Sequence, residues 1–280
     1  NTTSKIWYTV ADGVLSDVYA PTVDTTNVET TQYLVSDGST FTDLQSRDTT
    51  YTVTSDPTGM VCTVTSTAKS HAYRLTTTYS TDPARNAVLV HTTFTPLTKA
   101  ASRYQLYVRL DPTVAGNGGG GSGNGGADSA TIDNSTGHPV PVSFDTVTAT
   151  NAVNRDYAVP TYLALRADRP FTKVSSGFAG SASDGLSQLD ATHALAPAYT
   201  DATSGNVEQT AQIDPGRGNQ FTLALGFGTT QQQAVQTAGA SVQRSYLASL
   251  LSYELGWAAY DLGLRRPARN QIGRASGRER

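Results

Sequence analysis

The chain has 280 residues, room for one large β-sandwich or two average domains, and long enough to bury a core without disulfides or metals. Only 15% of residues are charged and the formal net charge is −3, which excludes a nucleic-acid partner held by a concentrated basic field; no run of eighteen apolar residues exists, which excludes a membrane-spanning helix. Against 42 Thr, 25 Gly and 14 Tyr stand 4 Lys, 4 Glu and one Met, a balance that favours strands over helices and predicts an all-β fold.

Period-two alternation runs from the start to about residue 228. In the opening segment, Asp17-Val18-Tyr19-Ala20-Pro21 interrupts it with a proline that a central strand does not tolerate, so Asp17 to Asp24 is expected to leave the sheet. Cys62, in Val61-Cys62-Thr63-Val64-Thr65, reads as a small core hydrophobe in a strand. Half-buried strands follow, each with one apolar face: Tyr73, Leu75, Thr77, Tyr79; Val88, Val90, Thr92, Phe94; Tyr104, Leu106, Val108, Leu110; and Phe221, Leu223, Leu225, Phe227. Turns are expected at Asp37-Gly38, Asp56-Pro57-Thr58-Gly59, Asp82-Pro83, Asp111-Pro112, Asp184-Gly185, Ser204-Gly205-Asn206 and Asp214-Pro215-Gly216. Many strands joined by tight turns, without a βαβ rhythm, predict a large antiparallel super-β-sandwich of well over ten strands over residues 1–228. The run Gly116–Gly126 lacks the Lys-Ser/Thr and the following helix of a phosphate loop, and reads as a flexible connection.

After Gly228 the pattern changes. Thr229-Thr230 offers an N-cap, and Val235, Ala238, Val242, Tyr246, Leu250 and Tyr253 recur at spacings of three or four. One helix of about thirty residues, Thr229 to Leu262, is expected, its stripe widened by Leu247, Leu251, Leu255 and Trp257. Residues 229–264 thus read as a C-terminal linker helix. Before Arg265 the chain carries 14 basic and 22 acidic residues, a balance of −8; from Arg265 to Arg280 six Arg face one Glu, a balance of +5. The run 272–280 reads as translated sequencing adapter, so no function is drawn from the basic 265–280 tail.

Hydrolysis of a glycosidic bond needs two carboxyl groups flanking it. Only Glu29, Glu208, Glu254 and Glu279 are present, and most of the nineteen Asp lie at turn positions where they bond backbone N–H groups. His71, His91, His138 and His193 share no metal-ligand spacing, and no G-x-S-x-G elbow occurs. Oxygen ligands for a structural calcium are present around Asp128, Asp133 and Asn134, without EF-hand spacing. No catalytic, cofactor-binding or metal residue is assigned, and the chain itself is expected not to be an enzyme.

The run Trp7-Tyr8-Thr9-Val10-Ala11-Asp12-Gly13-Val14-Leu15-Ser16-Asp17-Val18-Tyr19-Ala20-Pro21-Thr22-Val23-Asp24 resembles the N-terminal domain of bacterial glucodextranases and glucoamylases of glycoside hydrolase family 15. The likeness continues through Tyr33–Gly38, Arg47–Thr50, Asp82–Leu89, Leu106–Val108, Asp111-Pro112 and Leu223–Gly228, and covers Lys5 to about Leu264. Asp17 stands where Glu is common in that family and Ala20 where an aromatic is common. The resemblance implies a super-β-sandwich of the galactose-mutarotase-like kind, with a helical linker leading to an (α/α)6 catalytic barrel beyond this chain. It also implies that the family's catalytic glutamates lie in that barrel. The expected role is that of a non-catalytic accessory domain of a secreted bacterial exo-acting α-glucan hydrolase. Its partners would be the barrel of the same polypeptide and, through the whole enzyme, an α-glucan. Val18, Tyr19, Pro21, Leu247, Leu251, Leu255 and Trp257 are the residues expected to meet the barrel. An independent carbohydrate-binding module would need exposed aromatic platforms, and an active mutarotase-like epimerase would need a paired His and Glu in one pocket.

Overall fold

The computed structural model describes residues 3–56, 61–116, 128–146 and 159–264. Sixteen strands are found among them: β1 (Trp7–Ala11), β2 (Val14–Tyr19), β3 (Thr26–Ser36), β4 (Thr42–Leu44), β5 (Thr49–Ser55), β6 (Cys62–Ala68), β7 (Tyr73–Thr81), β8 (Ala87–Pro96), β9 (Gln105–Gly116), β10 (Asp128–Asp133), β11 (Val140–Asp145), β12 (Thr161–Ala167), β13 (Lys173–Phe178), β14 (Asp201–Gly205), β15 (Val207–Ile213) and β16 (Gln220–Gly228). Four helices accompany them: α1 (Gln45–Asp48), α2 (Gly185–Thr192), α3 (Gln231–Gln243) and α4 (Tyr246–Gly263). Beyond Gly116 the glycine-rich run lies outside the described residues, as do Pro57–Gly59 of one expected turn and the 265–280 tail.

The strands form two antiparallel sheets. Sheet one has the order β1-β2-β3-β9-β15-β13, with β4 also paired to β3; sheet two has the order β14-β10-β11-β12-β16-β8-β7-β6-β5. Between them lies one core. The expected inward rows are all there: Tyr73, Leu75 and Tyr79 from β7, Val88, Val90 and Phe94 from β8, Leu106, Val108 and Leu110 from β9, and Phe221, Leu223, Leu225 and Phe227 from β16. Alternation puts one side chain in two on the inner face of each strand, and the two inner faces interdigitate.

The outer faces depart from simple alternation, because each is partly roofed. On sheet two, α3 buries Ala234, Val235 and Ala238 against Leu89, Val142, Ala164 and Ala224. Small residues permit this close approach: a Cβ at Gly226 of β16 would overlap the backbone nitrogen of Ala238. On sheet one, Leu189 of α2 and Leu195 pack on Leu34 and Tyr107. Polar-looking positions opposite the core rows are therefore buried as well.

Three expectations need correction. Asp111-Pro112 is not a turn: both residues lie inside β9, opposite a register irregularity of β3 where Val28 pairs with Pro112. At such a bulge the ladder makes no demand for the N–H that proline lacks. The opening segment leaves the sheet only at Ala20, since Tyr19 still pairs with Trp7 and Thr26. Finally, the long helix is two. Arg244 is extended (φ −78°, ψ 141°) and Ser245 becomes the N-cap of α4, its carbonyl accepting the Ser249 N–H at 3.1 Å. The break redirects the chain so that Tyr246 lies flat on His91 of β8, ring centroids 4.2 Å apart and planes 10° from parallel. Of residues 229–264, α3 is thus a layer of the packed body, whereas only Ser249 of α4 is fully buried.

Candidate interdomain surface and polar clusters

α4 has two unlike sides. Its inner side is anchored by Tyr246 on His91, by buried Ser249 and by half-buried Tyr253. Tyr253 adjoins Tyr8, whose hydroxyl donates to the Tyr79 carbonyl at 2.9 Å. His91 Nδ1 lies 3.0 Å from the Thr222 hydroxyl, and burial holds the imidazole below its ordinary pKa while pushing Tyr246 up to about 12. The outer side carries Leu247, Leu251 and Leu255 at i, i+4, i+8, exposed by 73, 55 and 60%, and Leu262, exposed by 86%. Residues four apart share a helix face, so these leucines form one continuous apolar row that none of the described residues covers. Trp257 is half-buried, edge-on to Tyr253 and to Tyr260.

The expected interface residues of the opening segment divide. Val18 is fully buried among the core side chains and does not reach the surface, because β2 continues through it and alternation turns it inward. Tyr19 and Pro21 are half-buried at the end of β2, away from the leucine row in the chain and on a different element.

The carboxylates that sequence spacing left unconnected meet on the outer face of sheet one. Arg109 of β9 reaches Asp111 (2.8 Å), Asp184 (3.6 Å) and Glu208 of β15 (3.5 Å). Asp184 caps α2 by accepting the Leu186 N–H, and Glu208 accepts the Gly185 N–H and the Thr210 hydroxyl. Burial pushes Glu208 up to about 8, opposed by the Arg109 charge, and burial likewise raises Asp111. Burial alone would lower the Arg109 pKa, but the three carboxylates raise it. Glu208 and Asp184 are closed off from solvent, so the cluster clamps α2 and the loop before it onto the sheet; it offers no carboxylate pair to a glycosidic bond. No hydrogen bond joins a histidine to a glutamate among the described residues: His193 meets Thr42, and His91 meets Thr222. The signal that could have flagged the cluster is the run of polar residues, Arg109 and Glu208 among them, alternating with core side chains.

A second junction lies at the β7–β8 turn. Asp82, fully buried, accepts from the Ala84 N–H (2.9 Å), Arg85 (3.1 Å) and the Ser241 hydroxyl of α3 (2.7 Å). Asn86 accepts the Lys5 N–H through its side chain and the Phe227 N–H through its carbonyl. One tight turn therefore ties the N-terminal segment, the last strand and α3 together. As for calcium, Asp128 and Asp133 sit at opposite ends of β10, about 17 Å apart at the usual rise per residue, so they do not converge on one ion. Both oxygens of Asp133 are taken, by Ser135 and by Gln231 of α3, whereas among the described residues Asp128 accepts only the Val114 N–H.

Comparison with known proteins adds the following. A family model described as glucodextranase, domain N, matches residues 1–262. A glucoamylase from Clostridium sp. (strain G0005) is 26% identical over 261 residues, which is 93% of this chain and 34% of that protein. The solved structure of a bacterial glucoamylase complexed with acarbose superposes with a TM-score of 0.81 at 24% identity, covering 95% of this chain and 36% of that one. A family GH92 inverting mannosidase from Bacteroides thetaiotaomicron superposes less closely, with a TM-score of 0.51 at 14% identity over 90% of this chain and 30% of the mannosidase. The chain spans about a third of the length of the proteins it matches.

Proposed function

Because the chain belongs to the glucodextranase domain N family, we propose that it is the non-catalytic N-terminal accessory domain of a secreted exo-acting α-glucan hydrolase of glycoside hydrolase family 15. The observation that carries this reading is the bare leucine row of α4 on a chain a third as long as the glucoamylases it resembles. An apolar row of that kind marks an interaction surface. Its occupant, on this reading, is an (α/α)6 catalytic barrel of the same polypeptide, with Tyr19, Pro21 and Trp257 as further contacts. The sandwich is of the galactose-mutarotase-like kind and acts as a rigid wall beside the barrel's substrate cleft. Secretion follows from the substrate class, since a polymeric glucan too large to cross a membrane has to be cut outside the cell. The enclosed Arg109 cluster supports the absence of hydrolytic chemistry in the sandwich. A free-standing carbohydrate-binding module is less well supported, because Tyr33, Tyr73, Tyr79 and Tyr107 are core side chains and not platforms.

Glucose release from starch, maltooligosaccharides or dextran tests the proposal. The 280-residue chain should release none above a buffer control, while the longer polypeptide carrying the following domain should release glucose. Hydrolysis by the 280-residue chain alone, or a following domain without a barrel, would overturn it.

A further inference from the structure

A cleft of about 150 Å³ opens where the end of β12 meets the C-terminus of α3 and the segment before β11. Arg166 lines it. The residue is half-buried, and its guanidinium makes no hydrogen bond or ion pair among the described residues. α3 makes room for it: a Cβ at Gly239 would collide with Arg166 Nη1. Its five donors are taken by no protein group among the described residues, and the cleft it lines presents them to a ligand with acceptors. The neighbouring charges are fixed. Arg169 is held by the Pro215 and Gln220 carbonyls (3.2 and 2.9 Å) and stands 3.9 Å from Asp168, the cleft's own carboxylate. Asp133 acts on Arg166 at longer range.

Those surroundings select the ligand class. An added anion would face Asp168, Asp133 and the negative end of α3, whose last residues Val242 and Gln243 line the cleft. A cation would face two guanidinium groups. A neutral molecule with adjacent hydroxyls suits both signs at once, because each hydroxyl accepts from a guanidinium and donates to a carboxylate. Phe171 and Val242 supply an apolar wall for C–H groups. The volume lies below the roughly 300–1,000 Å³ of sites for drug-sized ligands, so a single ring fits and an extended chain does not.

We propose that this cleft binds one neutral sugar ring, with Arg166 and Asp168 taking a pair of its adjacent hydroxyls. The further choice of an α-glucosyl unit rests on the function proposed above; the cleft's chemistry does not. Such a site would hold the end of a glucan near the sandwich without cutting it.

The test is a two-dimensional ¹⁵N–¹H NMR titration of the 280-residue chain with methyl α-D-glucopyranoside and, separately, with inorganic phosphate. The glucoside should shift the Val140, Phe171, Gly239 and Val242 amides saturably, with a dissociation constant of about 1–10 mM, and phosphate should leave them in place. Arg166→Ala should weaken binding at least about tenfold, with changes in the free spectrum confined to the cleft and to the surroundings of Asp133, the group its charge acts on. Asp168→Asn, which keeps the side-chain shape, should weaken it several-fold and serves if the first variant misfolds. No saturable glucoside shift, equal shifts with phosphate, or unaltered affinity in both variants would overturn the proposal. The titration contains no barrel and reads no hydrolysis, so its failure leaves the accessory role standing, and a failed hydrolysis assay leaves the cleft standing.

Discussion

Asp128 opens β10 at 3% exposure; among the described residues it has a single donor, the Val114 N–H on Oδ2, and Oδ1 is buried without a partner. Burial pushes its pKa up to about 8, aided by the like charges of Asp145 and Asp111 and opposed by the Val114 bond. The unfolded chain ionises this carboxyl near the ordinary value of 3.8. Below that value both states are protonated and its contribution is fully present. As pH rises toward 8 the unfolded state alone loses the proton, so native stability falls by up to about 1.4 kcal/mol per pH unit. The ceiling is about 6 kcal/mol, and water reaching the native carboxylate should reduce it to about 2–3 kcal/mol. Asp128→Asn removes the titration and keeps an acceptor for Val114, at the cost of a buried amide that adds about 1 kcal/mol of destabilisation. The variant is therefore expected to be slightly less stable than the parent near pH 4 and more stable, by about 1–2 kcal/mol, at pH 9. Urea denaturation of both proteins at the two pH values reads this as a change of sign in the midpoint difference. An equal loss at both would mean that Asp128 is ionised throughout and held by the Val114 bond, and the reasoning would fail.

Asp82→Ala should destabilise by about 3–5 kcal/mol, because it strands the Ser241 hydroxyl and the Ala84 N–H, whereas Ser241→Ala should lose about 1.5–3 kcal/mol; chemical denaturation measures both. A chain ended at residue 228 should melt well below one ended at 244, since without α3 the Leu89–Val142–Ala164–Ala224 face is open to water; equal melting temperatures by circular dichroism would detach α3 from the body. In the 280-residue chain, α4 amides from Ser249 to Tyr253 should exchange slowly and those from Gly256 onward rapidly, and the longer polypeptide, with the proposed barrel in place, should slow the latter. Replacing Leu247, Leu251 and Leu255 together by Glu should leave the melting temperature of this chain nearly unchanged, because each is exposed, and should instead weaken docking in the longer polypeptide.

The inward rows were legible because β7, β8, β9 and β16 each carry a period-two pattern that only a sheet can satisfy. The roofed faces were not. Leu89 and Ala224 look like ordinary outward residues until α3 is known to return across β16, 135 residues after β8 ends in one case and a few residues after β16 in the other; that return is set by packing and not by local propensity. Pro112 misled because a bulge in β3, remote in sequence, excuses its missing N–H. The α3–α4 break escaped notice because Gln243-Arg244-Ser245 contains no glycine or proline, and the tertiary demand of Tyr246 on His91 ends the helix. The leucine row was readable from spacing alone. The Arg109 cluster joins residues from positions 109 to 208: alternation marks Arg109 and Glu208 as polar positions opposite a core row but not as neighbours, and Arg166 gains its meaning only from Gly239.

The placement of β16 has a consequence for how the protein is made. Sheet two contains two blocks contiguous in sequence, β5 to β8 and β10 to β12, with β14 added at the outer side of β10, and β16 is the strand inserted between β8 and β12. Until Gln220–Gly228 leaves the ribosome, the two blocks have no shared neighbour and each presents a raw edge. For the β8 edge the interval from Pro96 to Gly228 lasts about 7–26 s at ordinary synthesis speeds, and the β12 edge joins it once Ala167 is made. During it, Val88, Val90 and Leu163 stand on edges ready to pair with another nascent chain. β16 acts as a keystone, and the protein's exposure to misassembly is set by the order of translation as much as by its final stability.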